Sequence, residues 1–455
     1  MNYQESLDYI KSLAPTLERP TMVRMKLYFE DLGRPQNQLT CLHVGGTNGK
    51  GSTSTFLASM LASCGKKVGK FTGPHLVKFN ERLVVNGLDI ADDTFAQVAT
   101  EVLGHSLDFA KKHADLGPLT WFEFLTAMAV QYFTQEKVDF AVFEVGLGGR
   151  FDATNALDNI IVTTITNVDL DHMHLLGNTV EAIASEKAGI IKGAPVVTAA
   201  SGVALQVLES VAAQACVPLI ALCNPQGDFS PHLFRDFCVT IKYASAEFEN
   251  LVQSRIRLLQ EQLFGQEALP LSAAYQRLNA LTALLTICVT DFFAEQLQSD
   301  QSLFFERLRL GLGAAYWPGR YELVAAKGQI LDGAHNGHGA RALRLSLEDM
   351  FGARQFVFIF ACFQNKDARS LLGHLVRAGD YILCPRLKGE RPFHSFADIE
   401  TICKELGVHC LGFDDFSQAS NFAHNLIEDS PGDFGKMAVV TGSFATVRAA
   451  KEALG

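Results

Sequence analysis

The chain has 455 residues, 48% of them hydrophobic and 19% charged, with a formal net charge of −10 at pH 7. That length exceeds a single core of roughly 250–300 residues and requires more than one domain. The acidic balance excludes a general nucleic-acid or anionic-membrane binder, and no apolar run approaches the ~20 residues of a membrane span. Ten cysteines form no CxxC pair, so they read as small apolar fillers in a reducing compartment. The N-terminal MNYQESLDYIKSLAP lacks the basic and apolar regions of a secretory signal, and the expectation is a cytoplasmic protein.

In chain order, LTCLHV (39–44) reads as a buried strand, STSTFLASMLASCG as a helix closed by Gly65, and KVGKF as a second strand. Residues 121–134 predict a helix, DFAVFEV (139–145) and IIVTTIT (160–166) two strands, and APVVTA (194–199) another after a helix through Ile191. Alternation of this kind predicts a parallel-rich sheet covered on both faces. The pattern weakens over 224–270, and 271–293 then gives a strong helical run. The polar AEQLQSDQS (294–302) places a boundary there, giving domains 1–296 and 297–455. Beyond it QILDGA, FVFIFACF, DYILCP and KMAVVTGS predict four strands of a smaller, Rossmann-like α/β domain.

HVGGTNGKGST (43–53) lies after a buried strand and before a helix, where backbone N–H groups and the helix dipole make an anion cradle. The spacing misses G-x-x-x-x-G-K-[ST], because Gly51 separates Lys50 from Ser52. On local grounds this is an ATP or GTP site, with Lys50 on the outer phosphates and a hydroxyl on Mg²⁺.

The series GGTNGKGS, FTGPHLVKFNERLVVNG (71–87), TWFEFLTA (120–127), FEVGLGGRFDATN (143–155), TNVDLDHMHLLGNT (166–179), SEKAGIIK (185–192), WPGRYE (317–322), ILDGAHNGHGA (330–340) and TGS (441–443) runs collinearly through the chain. It closely resembles the dihydrofolate synthase/folylpolyglutamate synthase family within the Mur-type amide ligases. The resemblance implies an N-terminal P-loop ATPase domain of Mur-ligase type plus the C-terminal Rossmann-like domain. It also implies an ATP-dependent ligase that activates a pteroate or folate carboxylate as an acyl phosphate and joins L-glutamate to it. Dihydropteroate and reduced folates would be the acceptors, ATP a substrate, two Mg²⁺ ions and a monovalent cation the cofactors, and the protein a monomer.

Residue by residue, the resemblance implies that Thr47, Asn48, Gly49, Lys50, Gly51 and Ser52 hold phosphates, with Asn279 near the adenine. Arg320 and Asp332 would reach the nucleotide from the second domain, with His335 serving glutamate and domain closure. Ser52, Glu144, His172 and Lys187, the last as a carbamate, would bind metal; Lys50, His172 and Lys187 would be catalytic. Read alone, Lys187 is a surface helix lysine beside Glu186. Pro74, Arg82, Thr120, Phe122, Asp152 and Ala153 would form the folate site, the DAT form pointing to a bifunctional enzyme. Phe122 suits stacking on a flat ring and Asp152 suits pterin N–H groups.

Several positions depart from the family pattern. TGPHL has Gly73 where a serine is commoner, VDLDH carries Asp169 in place of a small residue, and YQRLNA has Tyr275 where histidine is frequent. DGAHNGHG has Gly337 in place of proline, which should loosen the following turn. The alternatives are a folylpolyglutamate synthase alone, a non-catalytic ATP-binding regulator, and a peptidoglycan-precursor ligase. The last needs an N-terminal UDP-sugar domain, and a loop beginning by residue 45 leaves no room for one.

Overall fold

The computed structural model describes residues 1–14, 22–223, 237–263, 273–388, 391–429 and 437–453. Two compact units emerge, each with its own sheet. The first holds a nine-stranded sheet in the order β4-β3-β2-β5-β1-β6-β7-β8-β9. Its strands are β1 (Cys41–Gly45), β2 (Val68–Phe71), β3 (Leu83–Val85), β4 (Leu88–Asp89), β5 (Phe140–Glu144), β6 (Ile160–Ile165), β7 (Val196–Thr198), β8 (Leu219–Cys223) and β9 (Cys238–Lys242). β2, β5, β1, β6, β7 and β8 run parallel, while β3, β4 and β9 add antiparallel edges. β1 is buried along its whole length, which explains why CLHVG shows no polar alternation.

The second unit holds the order β10-β11-β15-β12-β13-β14. These are β10 (Glu322–Val324), β11 (Gln329–Leu331), β12 (Val357–Phe360), β13 (Tyr381–Pro385), β14 (His409–Phe413) and β15 (Ala438–Thr441). All pair in parallel except β10 on β11. The four strands expected from sequence are β11, β12, β13 and β15; the short β10 and the more exposed β14 were not legible as apolar runs.

The expected boundary at 296 falls inside the helix Asp291–Ala314, and the first unit runs to Ala315. AEQLQSDQS is polar because it is the exposed surface of that helix around a break at Asp300 (φ −153°, ψ 99°). Beyond the break, Phe304, Phe305, Leu308 and Leu312 are buried. Gly311 seats the helix on Lys50–Ser63: Ser59 Oγ donates to Gly311 O at 2.6 Å, and a Cβ on Gly311 would lie 2.6 Å from Met60 Cα. Residues 273–278 belong to the second unit, so the helix Ala274–Cys288 divides between Leu278 and Asn279.

All ten cysteines are free, but they are not uniformly fillers. Cys216 and Cys238 are exposed, and Cys223 faces Cys238 across the β8–β9 pair. Among the described residues no single helix is long and apolar enough to cross a membrane.

The Gly311 contact generates a paired prediction. Gly311→Val drives a side chain into backbone and should cost about 1–3 kcal/mol. Gly104→Ala, in the helix Asp92–Lys112 with nothing within 4 Å of its Cβ, should stabilise by up to ~1 kcal/mol. Urea midpoints of the full chain moving in opposite directions would bear out this packing; equal midpoints would contradict it.

Candidate active site

β1 ends at Gly45, and residues 46–49 turn the chain into the helix Lys50–Ser63. Gly46 (φ 136°) and Gly49 (φ 85°) adopt backbone that side chains disfavour. Space forbids a side chain too: a Cβ on Gly46 would meet Thr166 Oγ1 at 1.8 Å, and one on Gly49 would meet Asn279 Oδ1 at 2.2 Å. The loop's carbonyls are held by donors. Lys187 Nζ donates to Gly46 O (2.8 Å), Lys50 Nζ to Thr47 O (3.1 Å) and Thr166 Oγ1 to Asn48 O (2.7 Å).

The N–H groups of Thr47 and Asn48 donate to Asn167 O and Oδ1, at 2.8 and 2.9 Å. The backbone cradle therefore narrows to residues 49–52, the helix's first turn, whose N–H groups have no partner within the helix. Asp169 exchanges backbone hydrogen bonds with Thr47 Oγ1, at 3.0 and 3.1 Å. The departure at 169 thus keeps its grip on the loop through main chain.

Glu144 closes β5 with 5% exposure, and its Oε2 accepts the Gly73 N–H at 3.0 Å. Lys70 on adjacent β2 pairs with Val142, which puts it on Glu144's face of the sheet. It is buried, donates to Thr55 Oγ1 at 3.1 Å, and has its pKa lowered to about 8 by burial, against the pull of Glu144. The sequence reading missed Lys70, because a lysine in a short strand usually faces solvent.

Ser52 is buried, and among the described residues Thr53 Oγ1 and Thr72 Oγ1 are buried without a hydrogen-bond partner. Hydroxyl and carboxylate oxygens such as those of Ser52 and Glu144 are the kind of donor a hard cation takes. Among the described residues, no three His, Cys, Asp or Glu side chains group to form a cage. An ion here would lean on one carboxylate, hydroxyls and substrate. His172 caps the short helix Met173–Leu176 at φ 49°, its Nε2 3.9 Å from Asp171 Oδ2.

Lys187 is not a surface residue: it is 4% exposed. Burial lowers its pKa to about 7, with the charge of Lys50 adding to the effect and Asp171 and Asp152 opposing it. Its helix, Val180–Ala188, docks on the GLGGR loop, where a Cβ on Gly149 would lie 2.9 Å from Lys187 O. Gly189 returns the contact, its Cβ position lying 2.5 Å from Arg150 Cα. The two motifs therefore need their glycines for each other.

The expected folate residues fall on one part of the first unit, several with structural duties as well. Arg82 is buried, donates from Nε to His75 Nδ1 (2.9 Å) and lies 5.0 Å from the Trp121 ring centroid. A serine at 73 would crowd it, since a Cβ on Gly73 would lie 2.5 Å from Arg82 Nη1. Pro74 follows Gly73 through a cis peptide. Phe122 lies against Gly146, whose Cβ would fall 2.5 Å from its ring.

Thr120 caps the helix Trp121–Gln135 and donates to Glu123 Oε2 (2.7 Å), a buried carboxylate also paired with Arg24 at 2.8 Å. Asp152 is buried, and burial raises its pKa. Its oxygens accept from Leu147 N–H (3.0 Å), Thr154 N–H (3.0 Å) and Thr154 Oγ1 (2.6 Å), so it shapes its own loop. Ala153 is fully buried.

In the second unit Asp332 is buried, accepting from Tyr275 O–H (2.5 Å), Tyr321 N–H (2.9 Å) and Ala334 N–H (2.9 Å). Tyr275, one of the departures, is thus a side-chain donor to Asp332. Arg320 stacks 4.2 Å from the Phe444 ring centroid, and His335 Nδ1 bonds Gly333 O at 2.8 Å. Gly337 opens the helix Gly337–Phe351, whose cap Asn336 accepts the Gly339 N–H.

Residues 44–225 match the Mur ligase middle domain, and 319–444 the Mur ligase, glutamate ligase domain. A dihydrofolate synthase/folylpolyglutamate synthase of Bacillus subtilis (strain 168) is 36% identical over 381 residues, covering 82% of each chain. The chain belongs to the dihydrofolate synthase/folylpolyglutamate synthase family of Mur-type ligases. The family's fold extends through the whole chain: E. coli FolC in complex with DHPP and ADP superposes with a TM-score of 0.74 at 26% identity. That match covers 100% of this chain and 98% of the other. A family member solved with Mn, AMPPNP and L-glutamate bound gives 0.74 at 28% identity, with the same coverage.

Gly49→Ala combines a disfavoured φ with the Asn279 clash. Nucleotide-analogue affinity should fall about 10- to 100-fold while the far-UV spectrum is unchanged. Wild-type affinity in that variant would contradict the cradle.

Proposed function

We propose that this chain couples L-glutamate to dihydropteroate, and to folates that already carry glutamate, through an acyl phosphate made at the cost of ATP. The observation that carries the reading is the convergence of Lys50 and Lys187 on the carbonyls of the loop that presents residues 49–52. One acceptor-carboxylate oxygen attacks the γ-phosphorus and ADP leaves. The glutamate amine then attacks the acyl carbon, an amide forms and phosphate departs with the carboxylate oxygen. Lys50 turns from Thr47 O to the transferring phosphoryl group, and the first-turn N–H groups neutralise its charge.

Ser52, Glu144, His172 and a carbamate on Lys187 would hold Mg²⁺, which would supply further charge neutralisation. Carbamate formation needs an uncharged amine, and the burial of Lys187 favours that form. Arg82, Trp121 and Phe122 provide a cation and flat faces for a ring bearing a carboxylate. Arg320, Asp332 and Asn279 serve the nucleotide, and His335 the incoming glutamate.

Purified protein with ATP, Mg²⁺, L-glutamate and dihydropteroate should release ADP only when all are present; release independent of dihydropteroate would refute the synthase reading. Lys187→Ala should lower turnover at least about 100-fold with nucleotide affinity nearly unchanged, and small carboxylates should restore part of it. Wild-type turnover would remove Lys187 from the mechanism.

A further inference from the structure

The outer edge of the first unit's sheet carries a pair of thiols that the reaction does not use. β9 ends the nine-stranded order, and among the described residues it pairs with β8 alone. One end of that pairing is pinned by charge: Lys242, opposite Leu219, meets Glu209 Oε1 at 2.7 Å. At the other end the register puts Cys238 directly opposite Cys223. Cys238 is exposed and Cys223 partly so.

Directly opposed residues of an antiparallel ladder have Cα atoms about 4.5–5.5 Å apart and side chains on one face. A disulfide spans about 4.4–6.8 Å between Cα atoms, so the backbone already stands where the bond requires it. The sulfurs share one neighbourhood as well. Cys238 Sγ donates to Cys223 O at 3.4 Å, and Cys223 Sγ lies 3.2 Å from Thr240 Oγ1 on the facing strand. Burial first, and then the adjacent Cys223, raises the Cys238 pKa. Turning the side chains about Cα–Cβ, rather than moving backbone, brings the sulfurs together.

A second set of thiols, in the other unit, supplies the contrast. Cys384 Sγ and Cys410 Sγ approach to 3.9 Å, yet Cys384 pairs with Gly412 and Cys410 with Ile382. That offset along parallel strands puts their Cα atoms about 8 Å apart, beyond what a disulfide spans. Cys384 is buried besides. Closeness of sulfur therefore does not select a pair; opposition in register and access to solvent do.

We propose that Cys223 and Cys238 form a reversible disulfide with low-molecular-weight disulfides as oxidant, and that the bond clamps β9 to the sheet. The thiolate of one cysteine attacks the external disulfide, forming a mixed disulfide and expelling one thiolate. The facing cysteine gives up its proton and attacks the protein sulfur of that mixed disulfide, and the second thiolate leaves. The protein loses two electrons and two protons, and the external disulfide gains them as two thiols. β6 and β7 separate β8 from β1 and its phosphate loop, so the clamp acts on the stability of the edge rather than on catalysis. The inference stands independently of the proposed ligase function.

The full-length protein, incubated with oxidised glutathione, alkylated and digested without reduction, should yield a Cys223–Cys238 cross-linked peptide that dithiothreitol removes. Hydrogen exchange across residues 238–242 should slow about tenfold or more in the cross-linked protein. It should keep its reduced-state rate in the oxidant-treated Cys223→Ser/Cys238→Ser variant, and the rate of ADP release should be the same before and after oxidation. Recovery of the two cysteines as separate thiols or lasting mixed disulfides would overturn the inference. So would a cross-link between Cys384 and Cys410 in its place, or unchanged exchange across 238–242 once the bond has formed. A loss of ADP release on oxidation that the double variant does not share would overturn the assignment of the clamp to stability.

Discussion

The grip on the phosphate loop from behind is the constraint on which the first unit depends. Gly46, Thr47 and Asn48 present carbonyls to Lys187, Lys50 and the Thr166 hydroxyl, and Asn167 takes the N–H groups of Thr47 and Asn48. With the carbonyls of 46–48 and the N–H groups of Thr47 and Asn48 occupied, the N–H groups of residues 49–52 are the ones the turn leaves for an anion. Every partner comes from the loop after β6, from the start of the helix Lys50–Ser63 or from the helix Val180–Ala188. The parallel order β5-β1-β6 brings them together by placing the carboxyl ends of those strands side by side.

The same arrangement concentrates buried charge. Lys70, Arg82, Glu144, Asp152 and Lys187 are each nearly inaccessible, and burying charge is costly unless it is paired or hydrogen-bonded. The cationic side of that set is displaced as burial dictates: Lys70 to about 8, Lys187 to about 7 and Arg82 to about 10. Glu144 pulls Lys70 and Arg82 back toward their charged forms. A pocket holding triphosphate, carboxylate and metal needs such opposed charges already in position, because reorganising them during the reaction would add to the barrier.

Much of this was legible in the sequence, and the misses have physical causes. The strand–loop–helix signature of HVGGTNGKGST and the alternating elements foretold both sheets. The motifs GLGGR and EKAG were quoted for their resemblance alone, and the close approach of their glycines to one another shows only in the fold. Lys187 reads as a surface residue because Glu186 beside it is polar; only the docking of Gly149 and Gly189 shows that the helix face is buried. Lys70 was overlooked on the same presumption of a solvent-facing lysine, since a four-residue strand carries too little periodicity to assign a face. The boundary at 296 failed because a polar stretch marks an exposed surface as readily as a linker, and this one is helical. Tyr275 was flagged as a departure, yet its bond to Asp332 depends on a residue far away in the chain.

The central claim is that the acceptor carboxylate becomes an acyl phosphate, and it can be read atom by atom. Dihydropteroate labelled with ¹⁸O in its carboxylate, turned over with ATP and L-glutamate, should pass one labelled oxygen into each phosphate released. Phosphate free of label, with product still formed, would contradict the account.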